Sequence, residues 1–242
     1  MTEKFSLHAA VSYADVDRNE ALRLPGVFKF LQEAAIAHAN RSGTGTRAMV
    51  TRGESWMLNR MAIAIDRYPR YEESLRIETW SSGIKSFKGF RDFRVYGGHD
   101  ALLISGSSLW LYVAMNLPSI VRVPPEIAAE FPECNEPRFC PDLDSAAFPE
   151  PSVAAAKDIA ITLRYSDIDA NRHVNNTAYL DFVQTALARA GMPPQPHRAR
   201  IKFIKSIPAD TESVNVRLEP RDHGARFSVG RNATVFALGD VA

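Results

Sequence analysis

Apolar residues recur at helical spacing in two stretches of the chain, and each stretch follows a short acidic turn. The first stretch occupies residues 27–35 and is bounded by Pro25 and Gly43. The second covers residues 179–190 and ends at Gly191. Proline suits the first turn of a helix and glycine suits its end. The pattern therefore predicts two long helices, each with one apolar face.

Strand-like apolar runs follow both predicted helices, and turn residues separate these runs. They occupy residues 56–66, 74–81, 87–96 and 102–115 in the first half and 200–207, 213–218, 225–229 and 234–238 in the second. Each half then has one apolar helix packed on four or five antiparallel strands. That arrangement is an α+β fold.

The two halves also resemble each other in sequence at an offset of 152 positions. The segment that begins at Tyr13 and ends at Asn19 aligns with the one from Tyr165 to Asn171, sharing a tyrosine, two aspartates and an asparagine. Phe30, Gln32 and Ala34 recur as Phe182, Gln184 and Ala186. We infer a duplicated unit in which an extended segment leads into an acidic turn and then a helix.

A proline-rich, acidic segment separates the two copies. Residues 117–152 contain eight of the fifteen prolines, and they carry seven acidic and two basic residues. Proline fixes φ and removes a hydrogen-bond donor, so such a segment resists long helices and central strands. We expect an extended linker at 117–152, with a short helix at 125–130, between an N-terminal domain at 1–116 and a C-terminal domain at 153–242.

Composition and charge exclude several classes of protein. Hydrophobic residues make up 45% of the chain and charged residues 24%, which is typical of globular proteins. A net charge of +1 gives no sign of nucleic-acid binding. The longest apolar run is too short for a membrane span, and the N-terminus lacks the apolar core of a signal peptide. We therefore expect a cytoplasmic protein without a membrane or nucleic-acid partner.

Candidate chemistry appears where the two copies differ. His173 aligns with Ala21, so the second copy alone has an imidazole at this position. In an extended segment, Asp169, Asn171 and His173 would share one face beside the N-terminus of the helix, whose first amides lack partners. Such a helix end can receive a developing oxyanion. The group could therefore serve a hydrolytic reaction.

Each of these residues also has a structural interpretation. Asp167 and Asp169 could close Asx turns or cap the helix. Asn175 and Asn176 could be capping residues, and His173 could be an ordinary surface histidine. No glycine-rich phosphate loop, G-x-S-x-G, paired-cysteine zinc motif or H-E-x-x-H occurs in the sequence. Nucleotide-binding, metal-dependent and serine-hydrolase functions are disfavoured accordingly.

The motif from Asn171 to Tyr179, N-R-H-V-N-N-x-x-Y, resembles that of the acyl-acyl-carrier-protein thioesterases of plants and bacteria. Further segments of both halves, such as 56–60 and 201–210, are similar to the family pattern. The resemblance implies two tandem hotdog domains, each a long helix wrapped by an antiparallel sheet. It also implies hydrolysis of fatty acyl thioesters, with no cofactor and no metal.

The resemblance assigns roles to individual residues. Catalysis falls to Asp169, Asn171 and His173, and substrate binding to Val174, Asn175, Asn176 and Ser206. The family also uses an acidic residue on the following strand, and here Ser206 stands at that position. Because serine is no carboxylate base at neutral pH, Asp169 would take that role, or activity would be weak, or the substrate would differ.

The implied substrate is a fatty acyl thioester of acyl-carrier protein or of coenzyme A. Five cations are candidates for contact with the acidic carrier protein: Arg172, Arg198, Arg200, Lys202 and Lys205. A non-catalytic acyl-binding protein remains an alternative because of Ser206. A hotdog dehydratase that uses Glu33 is another. The sequence leaves both a monomer and a homodimer open.

Overall fold

The structure, a computed structural model, describes residues 4–116 and 119–242. Residues 1–3 and 117–118, which the predicted N-terminal domain and linker include, lie outside the described residues. The chain divides into two units, one formed by Met1–Leu22 and Lys29–Ser145, the other by Arg23–Phe28 and Ala146–Ala242. The proposed domain boundaries at 116 and 152 stay a prediction.

The first part of the chain builds an antiparallel sheet. Its elements are β1 (Phe5–Ala10), α1 (Leu24–Arg41), α2 (Thr46–Arg52), β2 (Glu54–Ile65), β3 (Ser74–Lys85), β4 (Lys88–Tyr96), β5 (Leu102–Ala114), β6 (Ser119–Ile120) and α3 (Pro125–Ala129). The strand order is β1-β3-β4-β5-β2, and the short β6 pairs with β5. Every pairing of these strands is antiparallel.

The second part repeats this order. Its elements are β7 (Lys157–Thr162), α4 (Asn176–Arg189), β8 (Arg198–Phe203), β9 (Ser213–Arg221), β10 (Gly224–Arg231) and β11 (Thr234–Val241). Read from β7, the order is β7-β9-β10-β11-β8, again antiparallel throughout. Each strand of the second sheet thus occupies the place of its counterpart in the first. The predicted α+β class is confirmed.

Both long helices bury the apolar faces that the periodicity predicted. In α1, Leu31 and Ala34 are fully buried, and Leu31 lies against the first sheet at Gly106. A Cβ atom at Gly106 would come within 3.2 Å of Ile63 and 3.4 Å of Leu31, so a larger residue at this strand position would crowd the neighbouring strand. In α4, Leu180 and Val183 are fully buried.

The proline-rich segment folds back on the first sheet. Asp92, which is buried, accepts hydrogen bonds from Ser82 and Ser107 and from the amide of Phe139. Arg60 donates to the carbonyl oxygen of Leu143 at 2.8 Å. Residues 139–143 are thus attached to the first sheet. The helix expected at 125–130 is confirmed as α3.

One short helix was not predicted, and the bounds of one predicted strand were wrong. The seven-residue α2 was not expected, because T-R-A-M-V-T-R has no helical stripe of apolar residues. The strand predicted at 200–207 is β8, which begins and ends earlier. It ends at Phe203 because the amides of Ile204 and Lys205 both donate to the carbonyl oxygen of Phe236, which breaks the regular ladder.

Candidate active site

Residues 169–173 form a closed turn. The amide of Asp169 donates to the carbonyl oxygen of His173 at 2.9 Å, and the amide of Arg172 donates to that of Asp169 at 3.0 Å. Arg172 takes a left-handed conformation with φ 60°. The carboxylate Oδ1 of Asp169 accepts the amide of Asn171 at 2.8 Å, which is an Asx turn. The extended segment predicted here is wrong, so alternation does not place these side chains on one face.

The first copy folds into the same turn without a histidine. The amide of Asp17 donates to the carbonyl oxygen of Ala21 at 2.8 Å, and Oδ1 of Asp17 accepts the amide of Asn19 at 2.8 Å. Glu20 takes the left-handed conformation of Arg172, also with φ 60°. The turn backbone therefore does not depend on His173. The aspartate has a structural task in both copies.

Asp167 is a structural residue beneath the turn. Its carboxylate is buried and accepts a side-chain hydrogen bond from Arg164 at 2.8 Å and a backbone one from the same residue at 2.8 Å. Arg164 also pairs with Asp181 on α4. Hydrogen bonds to these two carboxylates raise the pKa of the Arg164 guanidinium. The network ties the turn to the helix.

The N-terminus of α4 leaves one amide without a protein partner. Oδ1 of Asn175 caps the helix by accepting the amide of Thr177 at 2.9 Å and its hydroxyl at 2.8 Å. The amide of Asn175 itself donates to the carbonyl oxygen of Asp167 at 2.8 Å. Among the described residues, the Asn176 amide alone of these three has no partner. Of these three amides, the Asn176 amide is therefore the one that remains available to a ligand.

The first copy begins its helix with a different set of amides. Helix α1 begins at Leu24, and the next residue is Pro25, which has no N–H. Pro25 aligns with Thr177, whose amide is available to the cap in the second copy. The copy that has proline in place of Thr177 is the same copy that has Ala21 in place of His173.

Ser206 lies in a loop that is fastened beside the turn. The hydroxyl of Tyr179 accepts the amide of Ile207 at 3.1 Å and donates to the carbonyl oxygen of Lys205 at 3.4 Å. The carbonyl oxygen of Ile207 accepts the amide of Val174 at 3.1 Å. Sequence reasoning placed Tyr179 only in an apolar stripe and missed this hydroxyl. Tyr179 is the last residue of the motif that begins at Asn171, but the motif gave no role for its hydroxyl.

The side chains of the site differ in exposure. Asn171 and His173 are exposed, Asp169 and Ser206 are half-buried, and Val174 is buried in the core. Within the described ranges, no hydrogen bond joins the side chains of Asp169, Asn171 and His173. The structure brings Asp169 and His173 together through their backbones. The side chain of Val174 is buried, so this residue contributes to the site through its backbone amide, which donates to the carbonyl oxygen of Ile207.

The other candidate residues, the cations and Glu33, differ in whether they are exposed or already paired. Arg200 is held by Asp240 at 2.7 Å, so it is already paired. Arg172, Arg198 and Lys205 are exposed, and Glu33 is exposed on α1. Residues 4–116 and 119–242 contain no group of three or more His, Cys, Asp or Glu side chains that could hold a metal ion. In the same ranges, no helix has the length and apolar character required to cross a bilayer.

Comparison with known protein families gives matches in both halves. Residues 2–131 match the model of the acyl-ACP thioesterase N-terminal domain, where ACP is acyl-carrier protein. Residues 151–233 match the model of the acyl-ACP thioesterase C-terminal domain. Together the two models account for most of the chain.

Individual relatives are more distant. A chloroplastic palmitoyl-acyl carrier protein thioesterase of Gossypium hirsutum is 24% identical over 189 residues, which cover 74% of this chain and 46% of the relative. The chain thus spans about half the length of the curated relatives it matches. In these relatives the activity belongs to a longer protein.

Solved structures show the same fold. A 12:0-ACP thioesterase from Umbellularia californica matches with a TM-score of 0.83 and 19% identity, over 98% of this chain and 96% of that one. An acyl-ACP thioesterase from Bacteroides thetaiotaomicron matches with a TM-score of 0.82 and 20% identity, over 98% and 96%. At this identity the likeness concerns the fold.

Proposed function

The chain belongs to the acyl-ACP thioesterase family, and on this premise we propose that it hydrolyses fatty acyl thioesters and releases free fatty acids. The observation that carries the proposal is the match of both halves to the two thioesterase domain models in their proper order. The turn at 169–173 supports it, since this turn places the histidine next to the start of a helix whose Asn176 amide has no partner among the described residues.

The proposed mechanism is direct attack of water on the thioester carbon. His173, assisted by Asp169, orients the water and takes its proton. Asn171 holds the water or the carbonyl group in place, and the Asn176 amide receives the developing oxyanion. The thiol leaving group has a pKa of about 8.5, so it departs without strong acid catalysis. Water is the only other reactant, the products are the free fatty acid and the thiol, and no cofactor is required.

Asp169 has two tasks in this proposal. Oδ1 accepts the amide of Asn171 and so maintains the turn. Oδ2 has no hydrogen-bond partner among the described residues, which leaves it available to a water molecule. Ser206 replaces the acidic residue of the family pattern, so Asp169 is the nearest carboxylate along the chain that can assist His173 in taking the proton.

We extend the proposal to the architecture, with each half a hotdog domain and 117–152 the connection between them. Identical strand order in the two sheets and identical turns support this view. The acyl-carrier protein is the proposed partner, for which exposed Arg172, Arg198 and Lys205 offer positive charge. The cytoplasmic location and the choice between monomer and homodimer stay predictions.

A non-catalytic acyl-binding protein is the second candidate, and Ser206 is the observation that favours it. Removal of the strand carboxylate would weaken the activation of water but leave binding of the acyl chain unaffected. Binding of acyl thioesters without turnover would distinguish this function from hydrolysis. The dehydratase alternative loses support, because Glu33 is exposed.

The test is release of free thiol from acyl-ACP and acyl-CoA of several chain lengths. We expect hydrolysis by the wild type and its loss in the H173A and D169N variants. Asparagine at 169 can still accept the Asn171 amide, so this variant keeps the turn and removes only the charge. The matched control is D17N, which makes the same change in the first copy. Full activity in H173A would refute the proposed site.

A further inference from the structure

We propose that Tyr179 is a positioning residue, whose hydroxyl group fixes the loop at Lys205–Ile207 so that this loop holds the His173 turn in its reactive geometry. The inference rests on the proposed function. It concerns a residue that the mechanism above does not use.

The first step of the argument is the hydrogen-bonding pattern around the loop. One hydroxyl group bridges two backbone groups, because it accepts from the amide of Ile207 and donates to the carbonyl oxygen of Lys205. The residue between them is Ser206. A loop held at both sides of one residue has little freedom to move that residue.

The second step connects the loop to the turn. The carbonyl oxygen of Ile207 accepts the amide of Val174, and His173 forms an isolated β-bridge with Pro208. The backbone of His173 and of the residue that follows it is therefore supported by the loop. Movement of the loop would move His173 with it.

The third step is the rigidity of Tyr179 itself. The residue is 1% exposed, and its ring packs edge-on against Phe203 with centroids 5.2 Å apart. Burial raises the pKa of its phenol, so the hydroxyl keeps both its donor and acceptor roles at neutral pH. The anchor is thus fixed in position and in protonation state.

The fourth step is a comparison with the first copy, where the corresponding turn bond runs from the amide of Leu22 to the carbonyl oxygen of Pro69. Pro69 therefore corresponds to Ile207, and it has no N–H to donate. Val27 aligns with Tyr179 and has no hydroxyl to accept. Donor and acceptor are absent together in the copy that has alanine in place of histidine. The hydrogen bond between the Ile207 amide and the Tyr179 hydroxyl occurs in the copy that has the histidine. The turn itself also forms in the first copy, which has neither the bond nor the histidine.

The experiment is the Y179F variant, which removes the hydroxyl and keeps the ring. We expect kcat for acyl thioester hydrolysis to fall by about 10- to 100-fold with KM changed less than about threefold, because misplacement of a catalytic group acts on the reacting geometry. Hydrogen exchange at the Ile207 and Val174 amides should accelerate in the same variant.

The matched control is Y112F, which removes another buried tyrosine hydroxyl, bonded to Glu54 at 2.7 Å in the first unit. We expect this variant to keep the wild-type kcat. A purely structural role for Tyr179 would lower thermal stability in both variants and leave kcat of the folded protein unchanged.

The outcomes separate the two proposals. An active wild type with a Y179F variant of equal kcat overturns the positioning role alone. Unchanged exchange at Ile207 in Y179F overturns it as well, even if kcat falls. An inactive wild type overturns the proposed function, and the positioning role with it.

Discussion

Replacement of Asn175 by alanine tests the N-terminal cap on which the proposed oxyanion site depends. Oδ1 of Asn175 accepts both the amide and the hydroxyl of Thr177, at 2.9 and 2.8 Å. Loss of a helix N-cap costs about 0.5–2 kcal/mol. Since both bonds use one oxygen atom, their contributions are not additive, and we expect about 1–2 kcal/mol for the pair.

A loss of this size corresponds to a factor of about 5–30 in the equilibrium for opening of the first turn of α4. Hydrogen-exchange mass spectrometry on peptides that cover residues 174–182 measures that equilibrium directly. We expect exchange in N175A to accelerate by the same factor. N175D should restore the cap, because aspartate is an equally good N-cap residue and its charge suits a helix N-terminus.

The adjacent N176A variant is the control. It makes the same change in side chain one position later, where no side-chain hydrogen bond occurs among the described residues, and it keeps the backbone amide. We expect its stability to change by less than about 0.5 kcal/mol. Equal acceleration in N175A and N176A, or less than a twofold change in N175A, would refute the assignment of the cap.

Two further predictions concern the base and the pH dependence. S206E should raise kcat at least about tenfold over the uncharged control S206Q if the strand carboxylate is a missing general base; a rate at or below that of S206Q contradicts this idea. Burial, with the charges of Arg91 and Arg41, lowers the pKa of His38 to about 4 from 6.5. Between these values the unfolded chain binds the proton and the folded chain does not, so stability falls as the pH drops from about 6.5 to 4. The urea midpoint of H38Q should fall less than that of the wild type over this range, and an equal fall would show that His38 does not control it.

Periodicity was sufficient to predict the long helices, because their apolar residues recur over several turns and face one sheet. It was not sufficient for α2, which lies between Gly45 and Gly53 and has one buried residue, Met49. The short length gives no pattern to detect.

The site was less accessible to such reasoning. The alignment with the first copy identified His173, yet the assumption of an extended segment missed the Asx turn that Asp169 closes. The bond between Tyr179 and Ile207 joins residues 28 positions apart. No local pattern reports such a contact, because it depends on how the helix and the loop meet in three dimensions.

The pair of matching turns has a consequence for protein engineering and for evolution. A turn that has the same backbone hydrogen bonds with alanine as with histidine can gain or lose the imidazole without a change of backbone, so one copy of a duplicated protein is free to drift. A second reactive centre could not be grafted by A21H alone. On the proposed role of Tyr179, the graft would also need V27Y and P69I, because proline at 69 has no N–H to donate to a tyrosine hydroxyl.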